Sequence, residues 1–205
     1  DKDLTVDYTY VPQNSQNLVI ISSGTHGAEA FAGHTIQTLI LKKLMQDLMP
    51  AHDYLLIHTI NPYGSKYFRR TNESNIDLNR NHGDAKLYKT KNASYEKYKT
   101  VFHPQAPVSQ SLWTKMKFVF KLVWIHISQG KRGILKGLEG QHHDPMGTNY
   151  GGTSLAPENL AAQNIIKQYS LNHSRIFHID LHTGYGVRGQ LHFFGDPSHT
   201  PKQKA

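Results

Sequence analysis

Leu18 to Ser23 is a short apolar, β-branched run that ends in small residues and Gly24, the pattern of a buried strand leading into a turn. From Glu29 to about Met49 a stripe passes through Phe31, Thr35/Ile36, Leu39/Ile40, Lys43/Leu44 and Leu48, close to the helical period, and Pro50 stops the helix. Tyr54 to Ile60 reads as a second strand. Strand, helix and strand in so short a stretch is the grammar of a largely parallel sheet with helices on both faces, so the expected fold class is α/β.

The polar stretch from Asn61 to His82 has Pro62 and Gly64 near its start and no sustained period, which predicts a long irregular connection of the kind that often carries function. Ser109 to about Gly130 is helical and basic. Its stripe of Trp113, Met116, Phe120, Val123/Trp124 and Ile127 is expected to be core rather than a membrane or calmodulin-type face. Gly137 to Ser154 is dense in glycine, and Pro157 to Tyr169 restarts a helix with proline in its first turn. Ile176 to Leu181 and Gln190 to Phe194 read as two further strands. No internal repeat interrupts this order, and residues 1–205 are expected to form a single domain.

Composition narrows the chemistry. With no cysteine among 205 residues, thiolate zinc sites, iron–sulfur clusters, disulfide scaffolds and cysteine hydrolases are excluded, and any metal must sit on His, Asp or Glu. The longest apolar runs, Leu18 to Ile21 and Val119 to Ile127, fall short of the roughly 20 residues of a membrane span. The first residues lack a basic segment followed by an apolar one, so no secretory leader is read and a cytoplasmic location is expected. The net charge of +8 admits anionic partners without naming one. Lysines interleave with Tyr88, Tyr95 and Tyr98 between Lys86 and Lys99, which is expected to be a solvated helix face or lysine-rich loop and not a nucleic-acid surface.

Three segments carry candidate chemistry. Thr25-His-Gly-Ala-Glu29 follows the first strand, where the spacing lets His26 and Glu29 point the same way at the carboxyl end of the sheet. The loop from Phe68 to Asn81 gathers Arg69, Arg70, Asn79, Arg80 and Asn81, a set able to grip a carboxylate; equally, its Asn and Asp side chains can satisfy their own backbone, and Asp77-Leu-Asn-Arg80 suits internal Asp–Arg pairing. In Phe177-His-Ile-Asp-Leu-His-Thr-Gly184, period-2 alternation sends His178, Asp180 and His182 to one face of a strand, as a metal ligand with a carboxylate behind it requires. His178 lies deeper in the strand and is expected to face water.

Together, His26-Gly-Ala-Glu29, Asn61-Pro62, Arg70-Thr-Asn-Glu73, Asp77-Leu-Asn-Arg-Asn81, Gly140-Gln141 through Tyr150-Gly-Gly152, and Asp180-Leu-His-Thr-Gly184 resemble the zinc carboxypeptidase (M14-like) superfamily, which includes the aspartoacylase and succinylglutamate desuccinylase branch. The nearest resemblance is to a bacterial carboxypeptidase-like branch defined by a domain of unknown function (DUF2817-like), over about Ile20 to Gly195. The resemblance implies one Zn2+ per chain on His26, Glu29 and His182, with Asp180 behind His182. It further implies that Arg70, or alternatively its neighbour Arg69, polarises the carbonyl and stabilises the oxyanion, with Arg69 counted among the substrate-binding residues, and that Asn79 and Arg80 hold the substrate's free carboxylate. Zinc in such a site lowers the pKa of its water to about 7 and polarises the scissile carbonyl. The expected substrate is a peptide or an acyl-amino acid with a free carboxylate next to the amide.

One departure stands out. The family takes its general base from a glutamate on a late strand, whereas no Glu follows Glu158, and Asp196 is the single carboxylate side chain beyond His182. The expectation is therefore a domain missing its C-terminal elements, weakly active or inactive by itself, with the base encoded downstream. The alternative is a truncated, catalytically inactive paralogue that acts as a metal- or anion-binding module.

Overall fold

The computed structural model describes residues 3–83, 85–103 and 111–193, without the side chains of Phe102 and residues 129–134. Four strands form one mixed sheet: β1 (Asp7–Val11), β2 (Asn17–Ser23), β3 (Asp53–His58) and β4 (Arg175–Leu181), in the order β1-β3-β2-β4. The strands β3, β2 and β4 run parallel, and β1 is antiparallel to β3 at the edge. The protein is thus α/β, with the expected strands at 18–23, 54–60 and 176–181 in place. The short edge strand β1, Asp-Tyr-Thr-Tyr-Val, has no continuous apolar run and its outer residues are exposed, so no sequence pattern marks it.

The central strands β2 and β3 are buried on both faces, whereas β4 is largely exposed. Leu18 and Ile20 of β2 and Leu55 and Ile57 of β3 pack with Ala162, Ile165 and Ile166 of α5 (Pro157–Ser170). On the other face Val19, Tyr54 and Leu56 meet Ile40, Leu41 and Leu44 of α1 (Ala30–Leu44). Each such buried aliphatic side chain contributes about 1.5–3 kcal/mol. The burial on α1 corrects the expected stripe in part: Ile40 and Leu44 lie inward as expected, joined by Ala30, Gly33 and Gln37, while Phe31, Ile36, Leu39 and Leu48 are exposed. Small residues set this face because the helix lies so close to β2 that a Cβ on Gly33 would stand 2.3 Å from Ser23.

The connection from Asn61 to His82 is more ordered than expected. It contains α2 (Pro62–Lys66), whose first turn is capped by Asn61 accepting from the Gly64 N–H, and a single 3-10 turn at Leu78–Arg80. Farther along, α3 (Ala93–Phe102) packs against α4 (Leu112–Leu138) through Tyr98, Val101, Leu122 and Ile125. Tyr98 is therefore buried, Tyr95 is buried with its hydroxyl on Asp144, and the lysines of this segment face water. The expected core stripe on α4 is also corrected. Trp113, Met116, Phe120, Val123, Trp124 and Ile127 are all exposed, because α4 is apolar on two sides and α3 covers the side that carries Ile125.

Over residues 190–193 the expected strand is absent, and Phe194 lies outside the described residues, as do Asp196 and the end of the chain. Gly184, Gly186 and Gly189 all adopt positive φ, and the Gln190 N–H turns back to the Val187 carbonyl, so the chain bends where an extended strand would have to begin.

Candidate metal centre

The carboxyl ends of β2 and β4 lie side by side, with Ser22 opposite Asp180 and Ile20 opposite His178. His26 follows β2 and His182 follows β4, so two loops that leave adjacent parallel strands deliver one imidazole each to the same edge of the sheet. Glu29 closes a 3-10 turn, Gly27–Glu29, immediately before α1. That turn is fixed against the next loop. The Ala28 N–H donates to the Arg69 carbonyl at 3.0 Å, and a Cβ on Gly27 would lie 2.0 Å from the Gly64 backbone.

One ligand atom from each of His26, Glu29 and His182 can be chosen so that all three lie within 4.8 Å of one another. The two imidazoles stand edge to face with ring centres 5.0 Å apart. His182 Nε2 sits 2.7 Å from Asp180 Oδ2, which leaves Nδ1 directed at Glu29, 3.5 Å away. Asp180 in turn accepts from the Ser22 hydroxyl at 2.7 Å and the Thr25 hydroxyl at 2.9 Å. Because the single Ser22 O–H is given to Asp180, the contact of 2.9 Å between Ser22 Oγ and His178 Nε2 requires the imidazole to donate. His178 thus supports the strand pair and does not join the cluster; it is exposed, as expected, and makes this hydrogen bond as well.

Asp77 holds the other side. Fully buried, it accepts from the Asn79 N–H at 3.0 Å through Oδ1 and from Arg70 Nε at 3.0 Å through Oδ2, and its Oδ1 lies 3.6 Å from His26 Nδ1. The expected Asp–Arg pair within this loop therefore forms with Arg70. No residue pattern marked Asp77 as a neighbour of His26, since that contact depends on how the 3-10 turn at Leu78–Arg80 meets the end of β2. Arg69 differs from its neighbour: its guanidinium lies 5.9 Å from the Tyr63 ring centre while its carbonyl anchors Ala28.

Electrostatics follow from these contacts. Burial lowers the pKa of His26, with Arg70 adding to the effect against the pull of Asp77 and Glu29, so its imidazole is neutral. His182 is pushed up to about 9 by its hydrogen bonds to Asp180 and Glu29. Burial would raise Glu29 and Asp180, but the His182 contact, the Thr183 N–H on Glu29 and the hydroxyls on Asp180 hold both carboxyls lowered.

The donor set fits a divalent metal. Two imidazoles with one carboxylate match the preference of Zn2+ for nitrogen and oxygen ligands with a coordination position left open. Beside this cluster Asn79, Arg80 and His82 line a cavity of about 690 Å³, together with Lys91, Lys136 and His142. Among the described residues Arg80 Nε is a buried donor without a hydrogen-bond partner, and Arg80 Nη1 donates to the Asn79 carbonyl at 2.9 Å. Asn81 behaves differently from the carboxylate-gripping role its loop suggested. Fully buried, it donates to the carbonyls of Gly151 and Ser154 and accepts from the Ala156 N–H, locking the glycine-rich segment to the loop. The Tyr150 carbonyl accepts from the Asp77 N–H at 2.7 Å, so the Gly140–Gly152 motif is scaffold for Asp77.

No curated protein and no solved structure matches the chain. A family model described as protein of unknown function (DUF2817) matches residues 1–205, and the chain therefore belongs to that family.

Proposed function

We propose that this protein is a zinc-dependent hydrolase that cleaves an amide bond next to a free carboxylate, of the metallocarboxypeptidase or N-acyl amino acid deacylase type. The observation that carries this reading is the convergence of His26 and Glu29, from the turn after β2, and His182, from the loop after β4, within 4.8 Å. These residues would hold the ion. Zinc in that position supplies Lewis acidity toward a substrate carbonyl and lowers the pKa of a water molecule.

The chain's own groups do the remaining work. Asp180 fixes the ring of His182 and Asp77 stands behind His26, the outer support that sets ligand orientation. Asp77 engages Arg70 through Nε, which leaves the terminal amino groups of a half-exposed guanidinium to meet an oxygen that gains negative charge as the amide is attacked. Asn79 and Arg80 line the cavity and supply donors for the substrate's carboxylate. Arg69, committed to Tyr63, is assigned the packing of the loop.

A second reading is favoured by a specific observation. Among the described residues, the carboxylates flanking the cluster, Asp77 and Asp180, are each bound to several partners, and neither is free to take a proton from water. A metal- or anion-binding module without turnover uses the same residues. The two readings separate in one experiment: zinc-loaded 205-residue chain is offered N-acyl amino acids and C-terminally blocked or free peptides. Chelator-sensitive hydrolysis restricted to substrates with a free carboxylate establishes the hydrolase in this chain. Stoichiometric zinc with no turnover makes these 205 residues a binding module by themselves, as expected of a domain whose general base is encoded outside them.

A further inference from the structure

The helix α4 is 27 residues long, carries six lysines and arginines and contains no acidic residue. One side is spent on α3, where Ile125 is 1% exposed against Tyr98 and Val101. At 100° per residue, Trp113, Met116, Phe120 and Ile127 lie roughly 120–180° around the helix from Ile125. There Trp113, Phe120, Trp124 and Ile127 are 62%, 65%, 61% and 78% exposed. A contiguous row of two tryptophans, a phenylalanine and branched aliphatics in water is far more than the scattered apolar exposure of an ordinary surface.

We propose that this outer face of α4 lies flat on an anionic lipid bilayer. The charge pattern selects that occupant. Lys115 borders the stripe on one side and Lys117 on the other, with Lys121 one turn along from Lys117 and nearer the α3 side, and the Lys117 ammonium is 5.2 Å from the Trp113 ring centre. An aromatic row with long cationic side chains at its margins is the arrangement of a helix in the interface plane: rings enter the boundary of the acyl chains, and lysines reach out to phosphate groups. No helix of the described residues is long and apolar enough to cross a membrane, so the helix rests on the surface. A second copy is the weaker fit. A two-fold contact would set the lysines of one α4 against those of the other, with no acid on either helix to answer them, in a chain already at +8. This inference is independent of the metal centre.

The two tryptophans of the chain both lie on this face, so their fluorescence reports on it alone. The 205-residue chain is titrated with vesicles of phosphatidylglycerol and phosphatidylcholine in equal parts, and with phosphatidylcholine vesicles. The expected result is a shift of emission to shorter wavelength with the anionic vesicles only, weakened about tenfold or more by raising salt from 0.05 to 0.5 M. Phe120→Glu and, separately, the pair Lys117→Glu and Lys121→Glu weaken it by about tenfold or more, with circular dichroism unchanged. The proposal is overturned by the absence of a shift with anionic vesicles, or by an equal shift with both vesicle types. A shift that grows with protein concentration and needs no lipid overturns it in favour of a second copy. Emission already at short wavelength in dilute protein overturns it as well.

Discussion

Arg70 donates its Nε–H to the buried carboxylate of Asp77 at 3.0 Å, and the other oxygen of that carboxylate lies 3.6 Å from His26 Nδ1. A single side chain thus sets the position of a candidate ligand and of the cation that would face substrate. Asp77→Asn keeps the shape and an acceptor but removes the charge. The expected outcome is zinc affinity reduced about 10–100-fold in chelator competition with the fold retained, whereas unchanged affinity would remove Asp77 from the site.

Gly27 tests the seating of Glu29. A Cβ there meets the Gly64 backbone at 2.0 Å, and backbone cannot yield as a flexible side chain does. Gly27→Ala is expected to cost about 1–3 kcal/mol in thermal or urea unfolding, and to weaken zinc binding, since the turn that carries Glu29 must shift. A variant as stable and as well metallated as the parent would show that the approach is looser than described.

At the opposite end of the parallel strands Asp53 ties together β1, the following loop and the residue run before β4. It accepts from the Tyr10 hydroxyl, from the N–H groups of Gln13 and Ser15 at 2.8 and 3.0 Å, and contacts His173 Nε2 at 3.0 Å. Burial would raise its carboxyl, but these hydrogen bonds prevail and hold it well below 3.8. A carboxylate with a lowered folded pKa stabilises fully above its unfolded value and loses that contribution as pH falls toward the folded one. Tyr10 is the converse: the Asp53 hydrogen bond, with burial, pushes it up to about 12, so its contribution is full below about 10 and fades as pH rises toward 12. Urea midpoints measured against pH should therefore fall below about pH 4 and above about pH 10. In Asp53→Asn, stability at neutral pH should drop by about 1–3 kcal/mol and both limbs should flatten. Unaltered limbs would contradict the assignment.

The two sides of α4 predict opposite responses. Ile125→Ala opens a cavity against Tyr98 and Val101 and is expected to cost about 2–4 kcal/mol, while Phe120→Ala, 65% exposed, should stay within about 0.5 kcal/mol. Similar losses at both positions would mean that the outer face is covered within the protein.

What the sequence made legible was local. The strand runs, the α/β order and the motifs of His26, Glu29 and His182 each lie within a few residues, and their spacing reports a turn or a strand face directly. Long-range choices were not. Asp77 reaches His26 only because the loop folds across the sheet edge. Tyr98 looks like a surface aromatic among lysines until α4 covers it, and Tyr95 until its hydroxyl meets Asp144. The apolar stripe of α4 carries the same period as a core helix, and periodicity alone cannot tell which of two apolar sides has a partner. On α1, Gly33 and Gln37 win the inward positions through close approach and through hydrogen bonds from Gln37 to the Ile21 and Ile57 carbonyls, neither of which a hydrophobic pattern scores.

The central claim is that His26, Glu29 and His182 form one metal site, and metal content per chain tests it most directly. Elemental analysis of untagged protein purified without chelator should give about one zinc per chain, lost in His182→Ala with the circular dichroism spectrum preserved. Folded parent protein that carries no zinc and takes up none on dialysis against it would contradict the account.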